Sequence, residues 1–385
     1  MKFFLTKTMK FDILSNMAKQ KNENDFLTEL LELSGNEYGA IAENGTTGDV
    51  HKYISTNSLL LNGLLSGSMF NGIAGNKITT FAGESSTGKT YIILDIVKNF
   101  LIENPTGYTI FFETESAISK QMLVDRGLDT RRILMLPVAT IQNFRTQILK
   151  ILDKYLATKK SERKPMLFVL DSLGMLGTTK EVEDTAEGKE TRDMTRAQLI
   201  KGLFRVVTLK LGIAEMPLLV TNHTYDEQGS MYPQKKMSGG SGVAYAGSTT
   251  VFLSKAKEKD GTDVIGNIIT FKLIKGRLTK ENSIAKVSLN YQTGLSKYYG
   301  LLEVSVEGGI AKRLGNKYTF DLVSEDPKYA FEKAIYKNPE LYFTEDVLKK
   351  IDVIVGKMYK YGVGEGPSAE DEDDFDAAAE IANEE

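Results

Sequence analysis

The sequence predicts an α/β protein built on a mainly parallel sheet covered by helices on both faces, with a small helical N-terminal arm and a small α+β C-terminal appendage. Three observations carry the prediction. From Ile54 to Tyr291, short apolar, β-rich runs alternate with longer runs of helical periodicity, the pattern of repeated strand–helix–strand crossovers. The run Gly83-Glu84-Ser85-Ser86-Thr87-Gly88-Lys89-Thr90 stands between one such strand and one such helix. From Thr250 onward the strand candidates crowd together, which suggests antiparallel pairs at one edge.

Residues 1–50 hold one amphipathic segment, Asp25 to Leu33, among polar and Gly-rich stretches such as Gly45-Thr-Thr-Gly48, and read as a helical arm and linker. Residues 51–300 form the predicted core. Its strand candidates are 78–82, 108–113, 166–170, 218–221, 250–253, 268–273 and 285–290, and the early ones are separated by helices long enough for right-handed crossovers. In 301–361, the runs 310–314 and 317–320 flank Gly315-Asn316 as a hairpin, and 330–360 is helical in pattern with a break near Pro339. Gly362-Val-Gly-Glu-Gly-Pro367 opens an acidic tail, 362–385, with too little apolar content to fold alone, so it is expected to be disordered.

Composition bounds the function. A chain of 385 residues that is 41% hydrophobic can bury one large core with smaller appendages. It has no cysteine, which excludes disulfides, thiolate metal sites and cysteine nucleophiles and fits a reducing cytoplasm. The apolar stretch in Met1–Lys7 is too short for a secretion signal, and no run approaches a membrane span, so a cytoplasmic protein with no membrane role is expected. Net charge is −3, yet residues 361–385 carry ten acids and no Lys or Arg, leaving the rest of the chain at +7. Such a split is compatible with a nucleic-acid-binding body whose tail competes for the same surface, but charge alone favours a solvated tail that aids solubility.

The eight-residue run fits G-x-x-x-x-G-K-[ST], and its flanks are those a phosphate-binding loop requires: Lys77–Ala82 is β-branched and apolar, while Ile93, Val97 and Leu101 follow at helical spacing. Gly83 and Gly88 let backbone N–H groups wrap phosphates, the helix N-terminus adds its positive end, Lys89 reaches the β- and γ-phosphates, and Thr90 offers a hydroxyl to Mg²⁺. Glu84, Ser85, Ser86 and Thr87 complete the loop. In such a sheet ligands sit at the carboxyl ends of the strands. The strand 166–170 leads into Asp171, the pattern of a carboxylate holding the Mg²⁺ shell. Tyr108 to Glu115 ends in two carboxylates, Glu113 and Glu115, which alternation places on one side; either can activate water near a γ-phosphate. The strand at 217–221 runs into Asn222-His223, polar groups suited to sensing that phosphate. Two long segments, 174–191 and 224–242, follow these ends without obvious secondary structure, and Tyr225, Tyr232, Lys235 and Lys236 interleave aromatics with cations, which suits a single-strand nucleic-acid contact, the alternative being an ordinary mobile lid.

As a set, these residues resemble the RecA family, and more closely its phage branch. The matching pieces are Ile54-Ser-Thr-Asn-Ser-Leu59, Gly83–Thr90, Glu113-Thr-Glu115, Leu170-Asp-Ser-Leu-Gly174, Asp193-Met-Thr-Arg-Ala197, Leu203-Phe-Arg-Val-Val207, Asn222-His-Thr-Tyr225 and Gly239-Gly240, across residues 50–300. The resemblance implies a RecA-like ATPase core and a DNA-dependent ATPase that uses ATP and Mg²⁺. It implies a homo-oligomeric filament on single-stranded DNA that pairs this strand with homologous double-stranded DNA, alongside single-strand-binding and loader proteins. By position it makes Lys89 and Thr90 the phosphate and Mg²⁺ ligands, Glu115 the water-activating base, Asp171 the holder of the Mg²⁺ shell and His223 the γ-phosphate sensor. Lys275 and Arg277 resemble cations that reach a neighbouring subunit's ATP. The segments 174–191 and 224–242 resemble the two DNA-binding loops; with Arg192 and Arg196 just beyond the first, the resemblance brings Arg192, Arg196, Tyr225, Tyr232, Lys235, Lys236, Gly239 and Gly240 to DNA. Two positions depart from the family: His223 replaces the glutamine of bacterial members, and Met122 falls where relatives often place a tyrosine against the adenine. A hexameric helicase, or a nucleotide-switched regulator that assembles without moving DNA, are the alternatives for the same core.

Overall fold

The strand predicted at residues 78–82 lies at the centre of a ten-stranded sheet. The computed structural model describes residues 26–189, 194–226, 235–238, 247–320 and 329–362, in two units, one ending at His51 and the other beginning at Lys52. In the first unit, residues 26–34 form helix α1, and a turn of 3-10 helix follows at Ala42–Asn44. The Asn36 and Asp49 side chains accept from the backbone N–H groups of Tyr38 at 3.1 Å and Thr46 at 2.7 Å, bending the chain between helical turns.

The second unit begins with an antiparallel pair, β1 (Tyr53–Ile54) and β2 (Ile73–Ala74), on either side of α2 (Leu59–Ser66). The large sheet then takes β3 (Ile78–Gly83), β4 (Tyr108–Glu113), β5 (Ile133–Pro137), β6 (Met166–Asp171) and β7 (Leu218–Asp226), all parallel. β8 (Lys235–Met237) folds back antiparallel on β7. β9 (Thr249–Asp260) runs parallel to β3, and β10 (Asp263–Gly276), β11 (Ile284–Asn290) and β12 (Gly294–Leu295) follow as antiparallel neighbours. The spatial order is β12-β11-β10-β9-β3-β7-β6-β4-β5, a parallel sheet with the antiparallel edge that the sequence led one to expect. Helices α3 (Lys89–Glu103), α4 (Lys120–Asp125), α5 (Ile141–Leu156), α6 (Thr179–Ala186) and α7 (Arg196–Ala214) lie between the parallel strands.

Strand periodicity decides which side chain meets which layer. Phe111, Leu167, Val169 and Leu219 join Ile93 and Val97 of α3 in one apolar cluster, while Phe112, Phe168, Leu170 and Val220 join Phe144 of α5 and Phe204 of α7 in the other. With both faces covered, the strands read as apolar throughout rather than alternating. Phe112 meets Phe144 edge to face at 4.8 Å, and burial of such a side chain contributes about 1.5–3 kcal/mol. Helix α5 is placed by its Thr140 cap, whose hydroxyl accepts from Asn143 N–H at 3.1 Å, and by the inward stripe Ile141, Phe144, Ile148 and Leu152. Helix α7 stops where Glu215 turns left-handed ahead of Pro217, which delivers the chain into β7.

Beyond residue 300 come α8 (Leu301–Glu307), a three-stranded sheet of β13 (Ala311–Leu314), β14 (Lys317–Phe320) and β15 (Ala330–Phe331), then α9 (Glu332–Lys337) and α10 (Glu345–Tyr359). The break near Pro339 is a 3-10 turn at Pro339–Leu341. Ile351, Val355 and Tyr359 of α10 belong to the same apolar cluster as α2 and α3, and Asp352 accepts from Ser68 Oγ at 3.0 Å and Met69 N–H at 2.6 Å. The acidic stretch from residue 363 lies outside the described residues.

Three elements correct the sequence expectation. β5 was not expected, because Ile133–Pro137 is a short apolar run without alternation at the sheet edge. The segment 174–191 is not without structure: its Thr178 and Glu181 form a reciprocal capping box that starts α6. Within the segment 224–242, β7 continues to Asp226 and its last three residues pair antiparallel with β8.

Candidate nucleotide site

At the carboxyl end of β3 the chain turns through residues 84–88 into α3. Ser86 and Gly88 have φ of +61° and +89°, and Gly88 caps the helix; a side chain at Gly88 would pay for that left-handed backbone. Thr87 Oγ1 donates to the Glu84 carbonyl at 2.9 Å, closing the turn. The Lys89 ammonium donates to the carbonyls of Gly83 at 2.9 Å and Glu84 at 2.7 Å. Burial pushes Lys89 below the usual lysine range, with Asp171 and Glu115 pulling the other way. Eight residues thus become a concave turn with its lysine inside it and a helix N-terminus behind it.

Asp171, at the end of β6, sits opposite. Its carboxylate accepts from Thr90 Oγ1 at 2.7 Å and from the buried Thr221 hydroxyl of β7. Burial raises the Asp171 carboxyl above the usual range, against the opposing effect of these two hydroxyl donors. The adjoining strand separates the two carboxylates that sequence alone left equivalent. β4 ends at Glu113, whose buried carboxylate accepts from the N–H groups of Glu115 at 3.2 Å, Ser116 at 2.7 Å and Ala117 at 2.8 Å. Alternation does not continue past that turn, so the two side chains part. Glu115 instead projects into the site, where Ser172 Oγ donates to it at 3.0 Å and His223 Nε2 lies 3.4 Å away. Ser172 and Thr114 enter the sequence argument only as motif members. Thr114 Oγ1 accepts from Ser172 N–H at 2.8 Å and so ties the ends of β4 and β6 together.

His223 also faces the loop segments. The Asn222 side chain accepts from His223 N–H at 2.9 Å and donates to the Ser238 carbonyl at 2.8 Å, while Ser238 N–H donates to the His223 carbonyl at 2.9 Å. The return strand of the hairpin is therefore fastened to the residue beside Glu115. Gly174 packs against the same pair: a Cβ there would stand 3.0 Å from Asn222 Oδ1 and 3.1 Å from His223 Cδ2. On the hairpin, Tyr225 is exposed and lies opposite Lys236, and Lys235 lies opposite Asp226. Arg196 spends its guanidinium on the carbonyls of Leu176 at 3.0 Å and Gly174 at 2.8 Å, holding the turn after β6. Arg192, Tyr232, Gly239 and Gly240 lie outside the described residues.

Beside α3 a cavity of about 730 Å³ is lined by Tyr91, Ser119, Met122, Arg126, Tyr291 and Gln292, among others. Arg126 stacks on the Tyr91 ring at 3.7 Å. Tyr91 directly follows Thr90, so the cavity opens from the start of the same helix.

Lys275 and Arg277 are elsewhere. Register places Lys275 beside Thr250, itself beside Thr80, and Gly276 beside Thr249 and hence Thr79. The loop that holds Lys89 leaves β3 at Gly83. The two cations therefore stand at the opposite end of the sheet, about 10 Å along β3 for Lys275 and two strand spacings, roughly 10 Å, across it. Burial and the charge of Arg277 lower the Lys275 pKa.

Among the described residues no helix is long and apolar enough to cross a membrane. Residues 35–296 match the family model described as the RecA N-terminal domain. The chain is 30% identical over 270 residues to the recombination and repair protein of Enterobacteria phage T4, a match covering 70% of this chain and 66% of that protein's length. It is 25% identical over 297 residues to protein RecA of Nocardioides sp., covering 76% and 79% of the two chains. Protein RecA of Streptomyces coelicolor is 25% identical over 300 residues, covering 77% and 75%.

Proposed function

The chain belongs to the RecA family, and from that premise we propose that it is an ATP-dependent strand-exchange protein. It hydrolyses ATP, assembles as a homo-oligomeric filament on single-stranded DNA and pairs that strand with a homologous duplex. Residues 51–300 carry the ATPase, flanked by the arm, the 301–361 region and the acidic tail. The observation that carries this reading is the direct fastening of a hairpin bearing Tyr225, Lys235 and Lys236 to the strand end that presents His223 to Glu115.

The residues divide the chemistry. The loop 83–90 cradles the triphosphate through its N–H groups, and Lys89 exchanges carbonyl acceptors for the more strongly accepting phosphate oxygens. One carboxylate and one hydroxyl, Asp171 and Thr90, are the donor set Mg²⁺ takes when phosphates and water fill its other positions. When bound there with nucleotide, Mg²⁺ neutralises phosphate charge. Glu115 orients a water for in-line attack and takes its proton, with Ser172 holding the carboxylate in place. His223 senses the γ-phosphate, and Asn222 with Ser238 passes its position to the hairpin. The cavity beside Tyr91 receives the base, with Met122 and Tyr291 as its apolar walls. Lys275 and Arg277 serve the nucleotide of a neighbouring subunit.

The test is ATP hydrolysis with and without single-stranded DNA, alongside electron microscopy of the assembly. Stimulated hydrolysis and an extended filament are expected. Hydrolysis indifferent to DNA, or a closed ring, contradicts the reading.

A further inference from the structure

Glu84 is the one phosphate-loop residue whose main chain and side chain are each held by a lysine of different purpose. Its carbonyl accepts from Lys89, the lysine of the phosphate site, at 2.7 Å. Its carboxylate is ion-paired and hydrogen-bonded to Lys235 of β8, on the hairpin read above as a DNA contact. A second cation braces the same turn, since Lys255 of β9 donates to the Ser86 carbonyl at 2.7 Å. The hydrogen bond and charge of Lys235, followed by the charge of Lys255, hold the Glu84 carboxyl below the usual carboxylate range.

Two competitions meet at this residue. Phosphate oxygens accept hydrogen bonds more strongly than a carbonyl, so a triphosphate competes with Glu84 for Lys89. DNA phosphates compete with the Glu84 carboxylate for Lys235, because an ammonium facing the loop cannot also face the DNA. The peptide that Lys89 releases is the one carrying the carboxylate that Lys235 binds. We propose that Glu84 couples the phosphate site to DNA binding, holding Lys235 off the DNA until a triphosphate draws Lys89 from the Glu84 carbonyl. This rests on the strand-exchange reading, and it adds a residue to the link through His223. By reciprocity, DNA that captures Lys235 loosens the same turn for nucleotide.

The experiment measures binding of a fluorescently labelled oligothymidylate by anisotropy, with and without a non-hydrolysable ATP analogue. It compares wild type, Glu84→Gln, Glu84→Asp, Lys235→Ala and the Glu84→Gln/Lys235→Ala double variant. Without nucleotide, Glu84→Gln should bind about 2- to 5-fold more tightly than wild type, the range an exposed ion pair allows. The enhancement produced by the analogue should shrink by a similar factor, Glu84→Asp should return toward wild type, and Glu84→Gln should have no effect when Lys235 is already alanine. The gain should fade near 1 M salt, where the Debye length is about 3 Å. Wild type that binds DNA while Glu84→Gln matches it or binds more weakly overturns the coupling alone. So does a gain that persists without Lys235. Wild type that binds no single-stranded DNA in either condition removes the strand-exchange reading and the coupling with it.

Discussion

The two ends of the central sheet hold the same kinds of side chain to different effect. At the carboxyl end, Lys89, Thr90, Asp171, Glu115 and His223 come from four strand ends: Thr90 and Thr221 donate to Asp171, Ser172 donates to Glu115 with His223 beside it, and Lys89 holds the carbonyls of its own turn. At the other end, Lys275 and Arg277 stand near the start of β3, with Arg277 N–H donating to the Ser248 carbonyl at 3.1 Å. A lysine side chain spans far less than the separation along and across the strands, so these cations cannot serve their own subunit's phosphates. The comparison teaches that one strand order can gather a polar cluster at one end of a sheet and hold two cations of the same chain out of its reach.

The largest effect expected within the carboxyl-end cluster separates its two carboxylates. Glu115→Gln should leave ATP binding nearly unchanged and slow hydrolysis on the order of 10²-fold, because water activation acts in the transition state. Glu113→Gln should show the reverse pattern, a lower melting temperature with a smaller catalytic loss. Its carboxylate holds three backbone N–H groups, and weakening such a buried set costs about 1–3 kcal/mol. Rates and melts measured on both variants decide the matter, and a catalytic collapse confined to Glu113→Gln would reverse the assignment.

A smaller effect sharpens the account of Asp171. Its carboxyl is raised in the folded protein, so the fold binds that proton more tightly than the unfolded chain does. The contribution to stability is fully present below the ordinary aspartate value near about pH 4 and is lost as pH rises through the raised value. Asp171→Asn should therefore gain melting temperature relative to wild type as pH increases from acid to about 8, while losing Mg²⁺-dependent nucleotide binding. A gap in melting temperature that stays constant across that range would contradict the burial argument.

What the sequence made legible was local. The run 83–90 is contiguous, its strand and helix flank it, and Asp171 and His223 each close an apolar run, so motif and chain order sufficed to place them at the carboxyl ends of strands. The antiparallel edge and the hairpin around Gly315-Asn316 followed from short spacings in the same way. What escaped depended on partners distant in sequence or on where a strand stops. Glu113 and Glu115 looked equivalent because alternation presumes a strand that continues, whereas the Glu113 carboxylate itself turns the chain. β8 is three residues that pair with β7, with no local sequence pattern of a strand. Ile133–Pro137 lacks the alternation of a half-buried strand. The Thr178-Thr-Lys-Glu181 box was legible as a helix start, but its charged surroundings suggested a loop. Most of all, the placement of Lys275 opposite the phosphate end required the registers of three strands together.

The central claim is that the cations of one subunit complete the site of the next, and a mixing experiment tests it most directly. Lys275→Ala protein keeps an intact phosphate loop but lacks one cation, and Lys89→Ala protein has the cations but not the loop lysine. Each alone should show little DNA-stimulated ATP turnover. Co-assembled on single-stranded DNA, some junctions pair the intact loop of one variant with the intact cations of the other, so a fraction of turnover should return. The same recovery is expected with Arg277→Ala in place of Lys275→Ala. Turnover that stays absent in filaments shown to contain both proteins would contradict the account and return Lys275 and Arg277 to a role within their own subunit.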